Sequence, residues 1–140
     1  MKRYKVWEIE HTADFGIKIW ASSLKTLFEK GAKIFENLLV DLKNVNAEEK
    51  MEFEVEGENK EELFLNLLRE LLFIFETKGF ILKKLKVEFK DDNKIFVSGK
   101  GEKFSPLKHK RKLNIKAITY HNFYLKKSEN GFETQVIFDV

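Results

Sequence analysis

Leu113-Asn114-Ile115-Lys116-Ala117-Ile118-Thr119-Tyr120-His121-Asn122-Phe123-Tyr124-Leu125-Lys126-Lys127 runs into Ser128-Glu129-Asn130-Gly131, and Phe132-Glu133-Thr134-Gln135-Val136-Ile137-Phe138-Asp139-Val140 follows. Both flanking runs alternate in polarity and are rich in β-branched and aromatic residues. The Asn-Gly step between them favours a tight turn. The stretch therefore predicts a long hairpin, with one strand over 113–127 and its partner over 132–140. If Lys127 pairs with Phe132, the sum of paired positions is constant and Asp139 falls opposite Tyr120. Lys116, Ile118, Tyr120 and Asn122 then share the face of Asp139. Lys116 lies about 13 Å farther along the strand, in the direction of the Val140 carboxylate. A one-residue slip in the turn would instead put Asp139 with Thr119 and His121.

Upstream of the hairpin, residues 80–90 and 94–100 alternate around Asp91-Asp92-Asn93 and predict a second strand pair. Residues 101–112 form a polar, basic loop with the only proline, Pro106. Before these strands, Leu63, Phe64, Leu67, Leu68, Leu71, Leu72 and Phe75 recur at helical spacing. Asn59 with Glu62 starts that helix in capping-box fashion, and Gly79 ends it. Met51, Phe53 and Val55 alternate with glutamates as a half-exposed strand. Another helix spans 24–40 behind Ser22 and Ser23, with Gly31 on it where close approach to the sheet is expected. Two strands, 4–9 and 16–21, open the chain around a break at 10–15. The order is ββαβαββββ. It predicts an α+β fold in a single domain over 1–140, with two main helices on one or two largely antiparallel sheets.

Composition narrows the chemistry. Hydrophobic residues make up 43% of the 140, with 14 phenylalanines, enough for one real core. Cysteine is absent, so disulfides, thiol catalysis and thiolate metal sites are excluded. No apolar run has the length of a membrane span, and no secretory leader pattern opens the sequence. The expected location is the cytoplasm, with no membrane partner. A net charge of +3 permits contact with RNA without requiring it.

The residues that could carry chemistry cluster at the two ends. Glu10-His11-Thr12-Ala13-Asp14-Phe15-Gly16 places a scarce histidine beside acids in a break between strands. Asp14, Asp139 and the terminal carboxylate would form an oxygen-rich site suited to a hard cation such as Ca²⁺ or Mg²⁺. Such anions repel one another unless a cation or Lys116 offsets them. Ordinary readings compete: Asp14 as a turn cap, Asp139 as a solvated terminal acid, Lys116 as a solvent-facing strand residue, and His11 and His121 as structural histidines. The run Lys108-His109-Lys110-Arg111-Lys112 could meet RNA phosphates, or be a solvated loop. No phosphate-cradling glycine loop, nucleophile elbow or zinc spacing is present.

His11-Thr12-Ala13-Asp14-Phe15-Gly16, Ile115-Lys116-Ala117-Ile118-Thr119-Tyr120-His121 and Val136-Ile137-Phe138-Asp139-Val140 together resemble the archease family. The two helices and Gly101-Glu102 fall in the expected order, so the resemblance covers essentially the whole chain. Phe15 stands where the family usually has Val, and Asn114 where an acid commonly precedes the Ile-Lys-Ala run. The resemblance implies a non-enzymatic activator of the RtcB-type tRNA-splicing ligase. Such a protein promotes guanylylation and multiple turnover of the ligase and broadens the nucleotides it accepts. It has no small-molecule substrate of its own and touches tRNA only indirectly or weakly. The resemblance also implies a divalent-metal site, with Ca²⁺ first and Mg²⁺ or Mn²⁺ as alternatives. Its ligands would be Asp14, Asp139 and the Val140 carboxylate, while Lys116, His11 and His121 act toward the partner. Two other readings stand beside it: a chaperone-like modulator of a tRNA methyltransferase, and a metal-dependent phosphoester hydrolase using the same acids.

Overall fold

A computed structural model describes residues 3–9 and 14–140, with side chains for 3–7 and 14–140. His11 and the rest of 10–13 lie outside the described residues. Alternating polarity near the start gives β1 (Arg3–Ile9) and β2 (Asp14–Ala21). Next come α1 (Leu24–Leu39), β3 (Glu49–Glu56) and α2 (Lys60–Lys78). β4 (Phe80–Asp91), β5 (Lys94–Lys103), β6 (Ala117–Ser128) and β7 (Gly131–Asp139) complete the order ββαβαββββ. The α+β class and the two helices are as the sequence predicts.

The strands form two antiparallel sheets, β1-β2-β7-β6 and β3-β5-β4. α1 packs on β2 and β7 of the first sheet and on β4 of the second. α2 packs on β6 and on all three strands of the second sheet. Both helices thus touch both sheets, and a single apolar cluster serves the whole fold. α2 is buried around most of its circumference, from Leu63 to Phe75. The Asn59 side chain accepts from the Glu62 N–H, and the Glu62 carboxylate reaches back to the Glu58 N–H. Gly79 closes the helix at φ 62°, a left-handed conformation that favours glycine.

Gly31 allows a close approach, but chiefly to α2 rather than to the sheet. A Cβ there would lie 2.6 Å from the Phe64 ring, and only then 3.6 Å from Ile19 on β2.

Two expectations for the last hairpin need correction. The strand does not begin at residue 113. The Lys112 and Leu113 N–H groups instead donate to the Leu39 and Leu38 carbonyls at the end of α1. These carbonyls lack partners within the helix, so the segment before β6 caps it. The register also changes midway. Lys127 pairs with Phe132 as predicted, and the same register holds to Tyr124 and Gln135. Beyond that point residues 120–123 of β6 stand opposite Val136 alone, with Asn122 at φ 53°. After this bulge Thr119 pairs with Ile137 and Ala117 with Asp139. Asp139 is therefore opposite Ala117, not Tyr120.

Candidate functional site

β2 and β7 bring the two expected acids together. Asp14 pairs with Asp139, and each is the last or first residue of its strand. Directly opposed residues share a sheet face, with their Cβ atoms about 5 Å apart. Buried Ile17 and Ile19 fix the inner face of β2, so Asp14 belongs to the outer one with Gly16, Lys18 and Trp20. On β7, buried Val136 and Phe138 likewise leave Asp139 outside.

Lys116 meets this pair through its backbone. Its N–H donates to the Asp139 carbonyl at 2.7 Å, just before β6 begins, and the residue is exposed. His121 is not gathered in. It sits on the bulge, exposed, with its Nε2 3.2 Å from the Asn122 amide. His11 lies outside the described residues.

Asp14 and Asp139 are hard oxygen donors, the ligand type that Ca²⁺ and Mg²⁺ prefer. Neither Asp14 nor Asp139 has a hydrogen-bond or ion-pair partner for its carboxylate among the described residues. Two opposed anions without a counter-charge destabilise a sheet, and a cation relieves that. With the Val140 carboxylate they offer about six oxygens, the lower end of what Ca²⁺ takes. Among the described residues no group of three His, Asp or Glu side chains is arranged to hold a metal ion.

A polar centre that the sequence reading missed lies in the basic run. The Glu102 carboxylate accepts from the Asn46 N–H at 2.8 Å and from Lys108 Nζ at 2.9 and 3.0 Å. It also meets His109 Nε2 at 2.8 Å. His109 is buried, and its Nδ1 accepts from the Ser105 N–H at 2.8 Å, so the proton sits on Nε2 and is donated to Glu102. The Asn46 amide leads the causes that hold the Glu102 carboxyl down at about 2, with Lys108 and His109 adding to it. Arg111 stacks over Phe75 at 5.1 Å. Three of the five residues of 108–112, Lys108, His109 and Arg111, thus also brace the fold.

Glu36 is the second missed group. It is fully buried on α1, where Oε1 accepts from the Leu82 N–H at 3.4 Å and Oε2 has no partner. Burial pushes its carboxyl well above the ordinary range. A signal was available: position 36 lies four after Ala32 and three before Leu39, inside the apolar stripe.

No helix among the described residues is long and apolar enough to cross a membrane. The sequence matches the archease protein family (MTH1598/TM1083) over residues 7–140. Protein archease of Pyrococcus furiosus is 36% identical over 129 residues, covering 89% of this chain and 91% of its relative. That of Pyrococcus abyssi is 38% identical over 131 residues, covering 91% and 92%. The solution structure of protein 1598 of Methanobacterium thermoautotrophicum superposes with a TM-score of 0.79 at 27% identity, over 98% of each chain. The crystal structure of a Thermotoga maritima archease, described as a possible chaperone, shares the fold with a TM-score of 0.68 at 24% identity, over 96% of each chain. With a family match from Trp7 to the last residue and the same fold in solved relatives, this chain belongs to the archease protein family.

Proposed function

We propose that this protein is a cytoplasmic activator of an RtcB-type RNA ligase in tRNA splicing. In this reading it promotes GTP-dependent guanylylation of the ligase, sustains repeated turnover and widens the nucleotides accepted. It carries out no turnover of its own. The observation that carries the reading is the opposed pair Asp14 and Asp139, with Lys116 fastened by its backbone to Asp139.

Asp14, Asp139 and the Val140 carboxylate would hold a divalent cation, calcium in the first instance. A bound cation at this end would supply positive charge to phosphate oxygens. Lys116, exposed and one residue before the Ala117–Asp139 pair, would add a cationic side chain at this end of the sheet. The Lys116 N–H to Asp139 carbonyl bond holds the Lys116 backbone at this end of the sheet. His121, on the adjoining bulge, and His11 are the supporting contacts toward the ligase.

The test is guanylylation and multiple-turnover ligation by the ligase, with wild type, Asp14→Ala, Asp139→Ala and Lys116→Ala. Wild type should raise turnover, and each substitution should cut the stimulation at least about tenfold, about 1.4 kcal/mol in barrier. Full stimulation by Asp139→Ala overturns the reading. Protection of a tRNA methyltransferase from aggregation, with no effect on the ligase, would support the chaperone-like alternative instead.

A further inference from the structure

We propose that the outer face of the β1-β2-β7-β6 sheet is a groove for single-stranded RNA. The proposal goes beyond the ligase reading and does not depend on it. Register sets the face out in rows. Arg3, Trp20, Glu133 and Lys126 form one row, and Lys5, Lys18, Gln135 and Tyr124 the next. Trp7 and Gly16 follow, and then Asp14 and Asp139. No helix covers these outward positions, since both helices pack on the other side.

Aromatic and cationic groups alternate along the groove. The Arg3 guanidinium lies 4.6 Å from the Trp20 ring centroid, and Lys126 Nζ 4.8 Å from that of Tyr124. The Trp7 indole lies against the strand: three of its ring atoms are 2.6–2.9 Å from where a Gly16 Cβ would be. Glycine at 16 is what lets the ring approach the backbone. The Trp20 and Gly16 rows are four residues apart, roughly 13 Å.

Lys5 and Lys18 stand directly opposite each other in the row between, and neither has an ion-pair partner among the described residues. Like charges so placed destabilise a sheet, and an anion between them removes the penalty. The facing acid, Glu133, accepts from the Tyr124 hydroxyl. Asp14 and Asp139 lie beyond Trp7 at the far end. Two adjoining depressions of ≈ 290 and ≈ 360 Å³ share Lys5 and Lys18, one reaching Trp20 and the other Trp7.

A cation pair bracketed by aromatic platforms suits a phosphate backbone whose bases stack to either side. An acidic peptide would use the lysines and leave the indoles idle. Unpaired bases are required, because a duplex hides their faces.

Both tryptophans of the chain lie on this face, so indole fluorescence reports on it alone. Titrating the full chain with a short oligouridylate at low salt should quench that fluorescence saturably. Lys5→Glu/Lys18→Glu should weaken binding about tenfold or more and reduce the salt slope by about 1.4, for two phosphates released. Lys5→Gln/Lys18→Gln should move both in the same direction, and it separates charge from any folding defect in the reversal. Lys50→Glu/Lys100→Glu, on the outer face of the second sheet, is the charge-matched control and should keep the quenching. Absence of quenching overturns the proposal, as does equal loss in the control. Polyglutamate that binds in a lysine-dependent way where the oligonucleotide does not would reassign the face to an acidic protein, and also overturns it.

Discussion

Asp14 and Asp139 stand directly opposed across β2 and β7, two carboxylates with no counter-charge between them among the described residues. Removing one should relieve repulsion and, in the proposed metal reading, remove a ligand as well. Asp139→Asn is expected to raise metal-free stability by up to about 1 kcal/mol. If the proposed calcium site exists, the substitution should also abolish stabilisation by calcium, which in the unaltered protein would reach about 2.7 kcal/mol at a hundredfold excess over Kd. Urea melts with calcium and with chelator read both effects. An undiminished calcium effect in Asp139→Asn would place the metal elsewhere.

Glu102 contributes to the acid side of the stability curve. Its carboxyl is held at about 2 in the fold, below its ordinary 4.5, so the unfolded chain binds more protons between those values. Its stabilisation is complete above pH 4.5 and drains away as pH falls toward 2. Glu102→Gln should flatten this part of the profile. Glu102→Ala leaves the Asn46 N–H and the His109 Nε2–H without their acceptor, and should cost about 1–3 kcal/mol at neutral pH. Chemical denaturation between pH 2 and 7 checks both.

The opposite sign holds for Glu36. Its carboxyl titrates higher in the fold than in the unfolded chain, so the folded state binds more protons above pH 4.5. Stability should fall as pH rises from there until the folded carboxyl ionises, at no more than about 1.4 kcal/mol per pH unit. Glu36→Gln keeps an acceptor for Leu82 and cannot ionise. It should become more stable than wild type as pH increases. Parallel pH profiles for the two proteins would contradict this account.

Gly31→Ala sets helix propensity against packing. Alanine favours the helix by about 1 kcal/mol. Its Cβ, however, would lie 2.6 Å from the ring of Phe64, which is fully buried and cannot swing aside. Overpacking of this kind costs about 1–3 kcal/mol, so the net change should be destabilising. Thermal melting of Gly31→Ala decides the sign.

Local signals carried much of the fold into the sequence. Asn59, Glu62 and Gly79 mark α2 because their roles are met within a few residues. The Asn-Gly turn likewise sets the Lys127–Phe132 pairing. What escaped depends on distant partners. Leu113 alternates like a strand residue, yet its N–H serves the end of α1. His109 sits in a run that looks solvated and is buried because Glu102 and Ser105 receive it. The acids at 14 and 139 were legible as a pair, but their relation to β6 was not. It rests on the bulge, for which left-handed Asn122 is the single local hint.

That bulge separates two alignments that one strand would otherwise lock together. From Tyr124 to the turn, β6 is indexed by the hairpin; from Thr119 to Ala117, it is indexed by the acidic end. The four residues between act as slack. A residue gained or lost near Glu129 can be absorbed there, whereas in an unbroken ladder it would turn every later side chain to the other face. The acidic end is therefore insulated from wear at the far tip of its own hairpin, and turn length can drift without dragging Lys116 away from Asp139.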